Sequence, residues 1–309
     1  MNELNLQDTN VAQIREIYNA DYFVLWILGN QCTYSCSYCP EHFHSGSIKY
    51  QPTELIQKVL NELPKSHVMF TGGEATYHPD FEKIVLEKPE HISISVISNA
   101  SRPIGFWERI APHLKSVTLT FHAEFAKLDR FLETCALIYN ENNKPGRINL
   151  TMIPEKWDEC INAFDVLTSE GIRVTAKPLV ENFGFQADKV LSTYTKEQLQ
   201  WISNSNKGIS FKNIVVTDKD DVVLYKTTPS ELISAKQTNF NGWQCFTNTQ
   251  TLYIDGDGTV FDTACKQRNN KGNIYSTYDL NSSPMICEQN FCWCHADILP
   301  KKVRLNVNI

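Results

Sequence analysis

Cys32, Cys36 and Cys39 place three thiols within eight residues, spaced CxxxCxxC. A zinc site usually pairs two Cys with two further Cys or His at similar separation. His42 and His44 could supply the fourth ligand of such a site, which keeps zinc as one reading. The other reading is iron. A three-Cys loop leaves one iron of a 4Fe–4S cluster without a protein ligand, free to bind a substrate or cofactor, an arrangement suited to chemistry.

Five more cysteines lie in the last third of the chain: Cys245, Cys265, Cys287, Cys292 and Cys294. One fully ligated 4Fe–4S cluster needs four thiolates and two need eight. Five thiols therefore support a single cluster, with one to spare. The alternative is a Cys₄ or Cys₃His zinc centre that includes His295. Cys245 and Cys265 flank an expected hairpin and are the firmest ligands; two of Cys287, Cys292 and Cys294 complete the set. Cys135 and Cys160 stand apart from both groups.

The elements that position these residues read as strand and helix in turn. Strands are expected at Tyr22–Leu28, Val68–Thr71, Ile92–Ile97, Val117–Phe121, Ile148–Met152 and Val174–Leu179. Apolar stripes at helical spacing lie between them. One is Leu55, Ile56, Val59, Leu60 and Leu63, and another is Phe106, Ile110 and Leu114. A third is Leu128, Phe131, Leu132, Cys135 and Tyr139. The fourth, Trp157, Cys160, Ile161, Phe164 and Leu167, stops at Gly171, where a helix C-cap belongs. Cys135 and Cys160 fall on these apolar faces and read as buried structural thiols. Strict alternation argues for a parallel sheet with crossover helices, an α/β fold whose six units fit a curved open sheet or a partial (β/α)6 barrel. Ligands then bind at the carboxyl ends of the strands.

Beyond Glu181 the rhythm weakens. Thr195 with Gln198 reads as a capping box opening a short helix through Trp201. Asp218–Asp221 reads as a charged turn. Thr251–Ile254 and Thr259–Phe261 flank Asp255-Gly256-Asp257-Gly258, a hairpin signal. We expect an N-terminal extension at 1–20, a core with its connecting segment at 21–235, and a small Cys-rich module with a β-hairpin at 236–309. The chain of 309 residues is 42% hydrophobic and 21% charged, ordinary for a packed soluble protein. Its mean hydropathy is −0.32, and no apolar run approaches the ~18 residues that span a bilayer. Residues 1–10 show no secretory signal pattern. A cytoplasmic location is expected, where clustered cysteines bind metal more often than they form disulfides. With 29 basic against 35 acidic residues and no basic stripe, neither nucleic acid nor a membrane is an expected partner.

At the strand ends the sequence resembles the radical S-adenosylmethionine (radical SAM) superfamily, over roughly residues 20–180. Its signature is the CxxxCxxC loop with an aromatic residue before the last Cys, here Tyr38. Thr71-Gly72-Gly73-Glu74 follows the second expected strand and matches the family's GGE motif. Ser98-Asn99 follows the third, where the family often contacts the ribose. Thr120-Phe121-His122 ends the fourth, with His122 where Asp is commoner. The resemblance implies that Cys32, Cys36 and Cys39 hold a 4Fe–4S cluster. It implies that Tyr38, Gly72, Gly73, Glu74, Ser98, Asn99 and His122 lie at the S-adenosylmethionine site. Gly72 and Gly73 would let the backbone approach the methionine part, and Glu74 or its neighbouring backbone would accept from the ammonium group.

The C-terminal cysteines, with the Asp-Gly hairpin and Gly272-Asn273-Ile274, resemble the auxiliary-cluster module called SPASM, or its shorter form, twitch. What this implies is a second 4Fe–4S cluster in an electron-transfer role and a flavodoxin- or ferredoxin-type electron donor. The activity implied is formation of a 5′-deoxyadenosyl radical that takes a hydrogen from a peptide or small-molecule substrate, which is then oxidised, crosslinked or epimerised. Peptide-modifying relatives often carry a leader-binding domain before the core, and the roughly 20 residues before the first strand here lower that expectation. The residues themselves leave two other classes open: a non-enzymatic iron–sulfur electron carrier and a zinc-binding adaptor.

Overall fold

The computed structural model describes residues 5–16, 22–142, 147–181, 190–206, 212–263, 270–280, 283–292 and 294–305. Two compact units divide the chain: a larger one of residues 26–209 with 255–258, and a smaller one of 1–25, 210–254 and 259–309. After β1 (Gln13–Glu16), the apolar runs become β2 (Tyr22–Ile27), β3 (Ser66–Thr71), β4 (Ile92–Ser98), β5 (Ser116–Phe121), β6 (Arg147–Met152) and β7 (Val174–Pro178). Between them lie α1 (Thr53–Glu62), α2 (Phe81–Leu86), α3 (Ile104–Ile110), α4 (Leu128–Asn142) and α5 (Trp157–Ser169). The strands stand side by side in chain order from β2 to β7. Val68 pairs with Ile94, Val96 with Val117, Leu119 with Ile148 and Leu150 with Ala176, all in parallel register.

That order has a consequence. Right-handed crossovers between successive neighbours place every helix on one face of the sheet. Strand alternation then separates two kinds of residue. Val68, Phe70, Ile94, Val96, Leu119, Ile148, Leu150 and Ala176 are fully buried under the helices. The intervening positions are mostly polar: His67, Ser93, Ser95, Thr118, Thr120, Asn149, Thr151, Thr175 and Lys177. Cys135 and Cys160 lie in the helix-side core as expected, and Ile153 N donates to the Cys160 sulfur at 3.4 Å. Gly171 closes α5 at φ +76°, and Ile172 N reaches back to Leu167 O. The Thr195–Gln198 capping box opens α6 (Lys196–Ser205), which runs a turn further than the sequence suggests.

The smaller unit is antiparallel. It contains β8 (Ile214–Thr217), β9 (Val223–Thr227), α7 (Pro229–Ser234), β10 (Trp243–Cys245) and α8 (Thr247–Gln250). Then come β11 (Thr251–Ile254), β12 (Thr259–Phe261), β13 (Asn270–Asn273), β14 (Met285–Ile286), α9 (His295–Ile298) and β15 (Lys302–Arg304). Asp218–Asp221 forms the tight connection of the β8–β9 hairpin, with Asp221 N donating to Asp218 O. The hairpin register pairs Tyr253 with Phe261 and Ile254 with Val260. One six-stranded sheet runs β14-β10-β15-β1-β8-β9. Within it β1 is a central strand paired to both β8 and β15, and β8 and β9 join the same sheet. Leu6, Val11, Ile14, Ile214, Val216, Phe240, Trp243 and Ile298 fill the core beneath it. Among the described residues no helix is long and apolar enough to cross a membrane.

Ile14 is 0% exposed, so Ile14→Ala should remove about 3 kcal/mol through lost burial and the cavity left behind. Urea denaturation measures this, and an unchanged midpoint would mean that Ile14 is not packed in this core.

Candidate active site

The chain leaves β2 and runs through Leu28, Gly29, Asn30 and Gln31 into the cysteine loop. The loop after β3 runs beside it. Leu28 N donates to Thr71 O, Gly73 N to Gly29 O at 3.1 Å, and Glu74 N to Gln31 O at 2.7 Å. This backbone seam explains the two glycines. A Cβ on Gly72 would stand 2.4 Å from Gly29 O, and one on Gly73 2.3 Å from Gln31 O. The expectation was that they make room for a ligand. The nearer cause is that two stretches of main chain touch there. Asn30 closes the other side, donating to His42 O at 2.8 Å and accepting from Ile48 N at 2.8 Å.

Within the loop, Cys39 N donates to Cys36 O. Burial raises all three thiols. Cys36 and Cys39 are each pushed up to about 11, by burial first; the Glu124 carboxylate and the Cys32 thiol add to the rise at Cys36, and the other two thiols add to it at Cys39. A backbone bond from Tyr34 N to the Cys32 sulfur, at 3.4 Å, opposes the rise at Cys32. Three thiolates that repel one another in a sheltered loop are a donor set that a cationic cluster would satisfy. Among the described residues no three His, Cys, Asp or Glu side chains converge on one point as ligands of a single ion do. A 4Fe–4S cluster takes each thiolate on a separate iron, so the spaced thiols of this loop fit that group. His44 directs Nε2 to the carbonyl of Cys39, at 3.0 Å, rather than to a thiol.

Glu74 is 1% exposed. Its carboxylate accepts from Thr76 N at 3.1 Å and from Thr76 Oγ1 at 2.6 Å. It also accepts from Asn99 N at 2.6 Å. Burial raises its pKa, while these bonds and one from Ser98 pull the other way. The Tyr50 hydroxyl takes the Glu74 carbonyl at 2.8 Å and the Gln31 carbonyl at 3.1 Å. Glu74 therefore ties the ends of β3 and β4 together. Asn99 faces the cluster loop: its Nδ2 donates to Thr33 Oγ1 at 3.1 Å and lies 3.8 Å from the Cys32 sulfur. Next to it, Ala100 holds φ +59°, an uncommon conformation for a residue with a side chain. Its amide donates to Ser98 Oγ.

His122 ends β5 against the same loop. Its Nδ1 bonds the Tyr38 hydroxyl, and the two rings stack with centroids 6.1 Å apart. Tyr34 meets the His122 ring edge-on and stacks on Phe125. Burial lowers the His122 pKa to about 4 although Glu124 pulls it upward. The ring is then neutral near pH 7, and Nδ1 can accept from tyrosine. Sequence reasoning missed Glu124, which accepts from Ser37 N at 2.7 Å and from the Ser37 hydroxyl, between two cysteines. The available signal was its place two residues after His122 in a strand-end loop.

In the smaller unit, Cys245 and Cys287 lie in the buried core and Cys292 packs against it. Burial raises the Cys292 thiol well above its ordinary value; Lys302 opposes the rise, while Asp297, Cys294 and Cys245 add to it. Lys302 is 1% exposed and pairs with Cys245 across β10 and β15. Its ammonium donates to the carbonyls of Asp297 at 2.5 Å, Ile298 at 3.2 Å and Pro300 at 3.2 Å. Four of the five expected thiols thus fall in this unit's described part. Cys265 lies outside the described residues. Cys245 belongs to the six-stranded sheet and not to the hairpin thought to join it to Cys265. His295, a candidate zinc ligand, places Nε2 3.4 Å from Ser230 Oγ.

Residues 26–173 match the family model of the Radical SAM superfamily. That segment carries the Cys loop and the ends of β3, β4 and β5. No curated protein matches the chain. Among solved structures, native anSMEcpe with bound AdoMet (S-adenosylmethionine) is similar at 14% identity and a TM-score of 0.50. That match covers 83% of this chain and 79% of the other. SuiB of Streptococcus suis bound to S-adenosylmethionine is similar at 13% identity and a TM-score of 0.51, over 89% of this chain and 65% of its own. Native anSMEcpe with AdoMet and a peptide bound is similar at 15% identity and a TM-score of 0.50, over 83% of this chain and 78% of the other. At these identities the likeness is one of fold.

Two outcomes follow from this geometry. Gly73→Val should displace Gln31, next to Cys32, and so lose iron as well as S-adenosylmethionine binding. Iron per folded chain after anaerobic reconstitution reads this, and wild-type iron would contradict the seam. His122 should titrate near 4 when followed by NMR. Because its folded pKa lies below its unfolded one, its contribution to stability is present at neutral pH and fades as pH falls from about 6.5 towards that value. A midpoint at its ordinary value would mean the ring is not buried as described.

Proposed function

We propose that the chain is a radical SAM enzyme. In this reading Cys32, Cys36 and Cys39 hold a 4Fe–4S cluster at the carboxyl ends of the strands of a partial (β/α)6 barrel. When bound, the cluster and S-adenosylmethionine supply a 5′-deoxyadenosyl radical that takes a hydrogen atom from the substrate. The observation that carries the reading is the convergence of four loops, after β2, β3, β4 and β5. They are joined by the Gly73–Gly29 seam, the Glu74–Asn99 bond, the Asn99–Thr33 bond and the Tyr38–His122 pair.

Each residue has a part. The thiols of Cys32, Cys36 and Cys39 are ligands, and Glu124 and Asn30 hold their loop in shape. Gly72 and Gly73 keep the β3 loop close to it, presenting main chain to the methionine part of the cofactor. Glu74 orients Ser98 and Asn99 towards the ribose. Tyr38, Tyr34, His122 and Phe125 wall the loop with aromatic surface and exclude water. In the smaller unit Cys245 and Cys265, with two of Cys287, Cys292 and Cys294, supply the four ligands of an auxiliary 4Fe–4S cluster in an electron-transfer role, and Lys302 offsets its negative charge. The substrate is a peptide or a small molecule. The peptide bound to anSMEcpe, a structure of similar fold, supports the first of these. A flavodoxin- or ferredoxin-type protein would supply the electron.

The test is formation of 5′-deoxyadenosine by reduced, reconstituted protein. The wild type should form it and the Cys32→Ala/Cys36→Ala/Cys39→Ala variant should not; an electron carrier or a zinc adaptor forms none in either case. Cys245→Ala with Cys292→Ala should lower iron from about eight to about four per chain, one 4Fe–4S cluster per Cys set, while cofactor cleavage persists. Unchanged iron in that variant would remove the auxiliary cluster from the proposal.

A further inference from the structure

The helix-free face of the parallel sheet carries two cations that the functional reading leaves unused. Lys177 is near the end of β7, at the last sheet edge of the larger unit, and lies beyond the segment 26–173 that the family match covers. It pairs in register with Thr151 of β6. Thr151 in turn hydrogen-bonds the Tyr38 hydroxyl, one residue before Cys39. Lys177 is thus one strand away from the wall of the cluster loop.

Its surroundings are unusual for a lysine. Burial and the like charge of Arg147 hold its ammonium down to about 8. Arg147 begins β6 on the same face, four residues before Thr151. Neither cation has a carboxylate partner among the described residues. Between them in register stands Asn149, whose Oδ1 is buried and accepts no hydrogen bond. Lys177 is partly buried on that face, whereas Arg147 at the start of β6 is exposed; a partly enclosed ammonium without a counter-charge, beside an unused acceptor, carries a cost that folding alone does not recover. A ligand bearing an anion next to a hydrogen-bond donor would offset it.

We propose that Lys177, with Arg147 and Asn149, forms an oxyanion-recognition site on the helix-free face of the sheet. It takes a carboxylate or phosphate of the substrate and accepts, at Asn149 Oδ1, from an adjacent hydroxyl or N–H. The ligand class is therefore an acidic substrate with a neighbouring donor. The proposal rests on the reading of this face as the substrate side of the radical site.

The experiment is competitive acetylation of the full chain with acetic anhydride, read lysine by lysine by mass spectrometry. Inorganic phosphate, acetate or S-adenosylmethionine is added against potassium chloride of equal ionic strength. With phosphate at twice its Kd, Lys177 should react about three-fold more slowly by mass action, while exposed Lys65 and Lys83 keep their rates. Arg147→Met should weaken the protection. Protection mainly by phosphate assigns a phosphorylated substrate, and equal or greater protection by acetate assigns a carboxylate. A Lys177 that does not react, or reacts equally in phosphate, acetate and chloride, overturns the site. Protection by S-adenosylmethionine alone overturns it as well, because the cation would then serve the cofactor's own carboxylate. Cofactor cleavage by the wild type is scored separately. Its absence would sink the functional reading, whereas its presence without anion protection would sink only this inference.

Discussion

A buried carboxylate must have its charge answered, and at Glu74 the answer comes from its own neighbourhood. Thr76 supplies an amide and a hydroxyl, and Asn99 supplies an amide from the next strand end. A lone charge in such a place would be prohibitive; with these donors it becomes a fixed point. The β4 loop is held to the β3 loop by that point, and the β3 loop lies along the residues leading to Cys32. The Asn99 amide group, which meets Thr33 of the Cys loop, is placed from it. The site is built from loops, yet those loops are fastened to one another rather than only to their strands.

Much of this was legible in the sequence. The six runs gave strands within a few residues of those observed, because each sets apolar residues at every second position, the positions buried under the helices. The motifs after β2, β3, β4 and β5 do meet in one place. What the residues could not reveal was the direction of each side chain. Asn99 reads equally well as a ribose contact or as a brace on Thr33. A Gly-Gly pair gives no sign of whether a ligand or another piece of main chain comes close. The smaller unit was harder to read. Its β1 is four residues long, too short for a periodic signal, and its partners β8 and β15 lie far along the chain, β15 almost at its other end.

The two candidate metal sites answer the charge of their thiols differently. Around Cys32, Cys36 and Cys39 the nearest ionised groups are the carboxylates of Glu74 and Glu124, which resist thiolate formation. Around Cys292 the Lys302 ammonium favours it, against a smaller opposing effect of the Asp297 carboxylate. A loop among carboxylates relies on an incoming cationic cluster for balance. A core with its own buried ammonium already holds part of that balance in the polypeptide.

The smaller unit also fixes an order of events during synthesis. Arg304 reaches the carbonyls of Leu6 and Asp8 at 2.7 and 2.8 Å, across 298 and 296 residues of sequence, and β1 sits between β8 and β15 in the sheet. Contacts of such high contact order form slowly, and only after both partners have left the ribosome. The nearly contiguous larger unit can gather its strands while translation continues. Until β15 emerges, β1 has open edges on the nascent chain, and the cysteines beneath that sheet stay without their shelter.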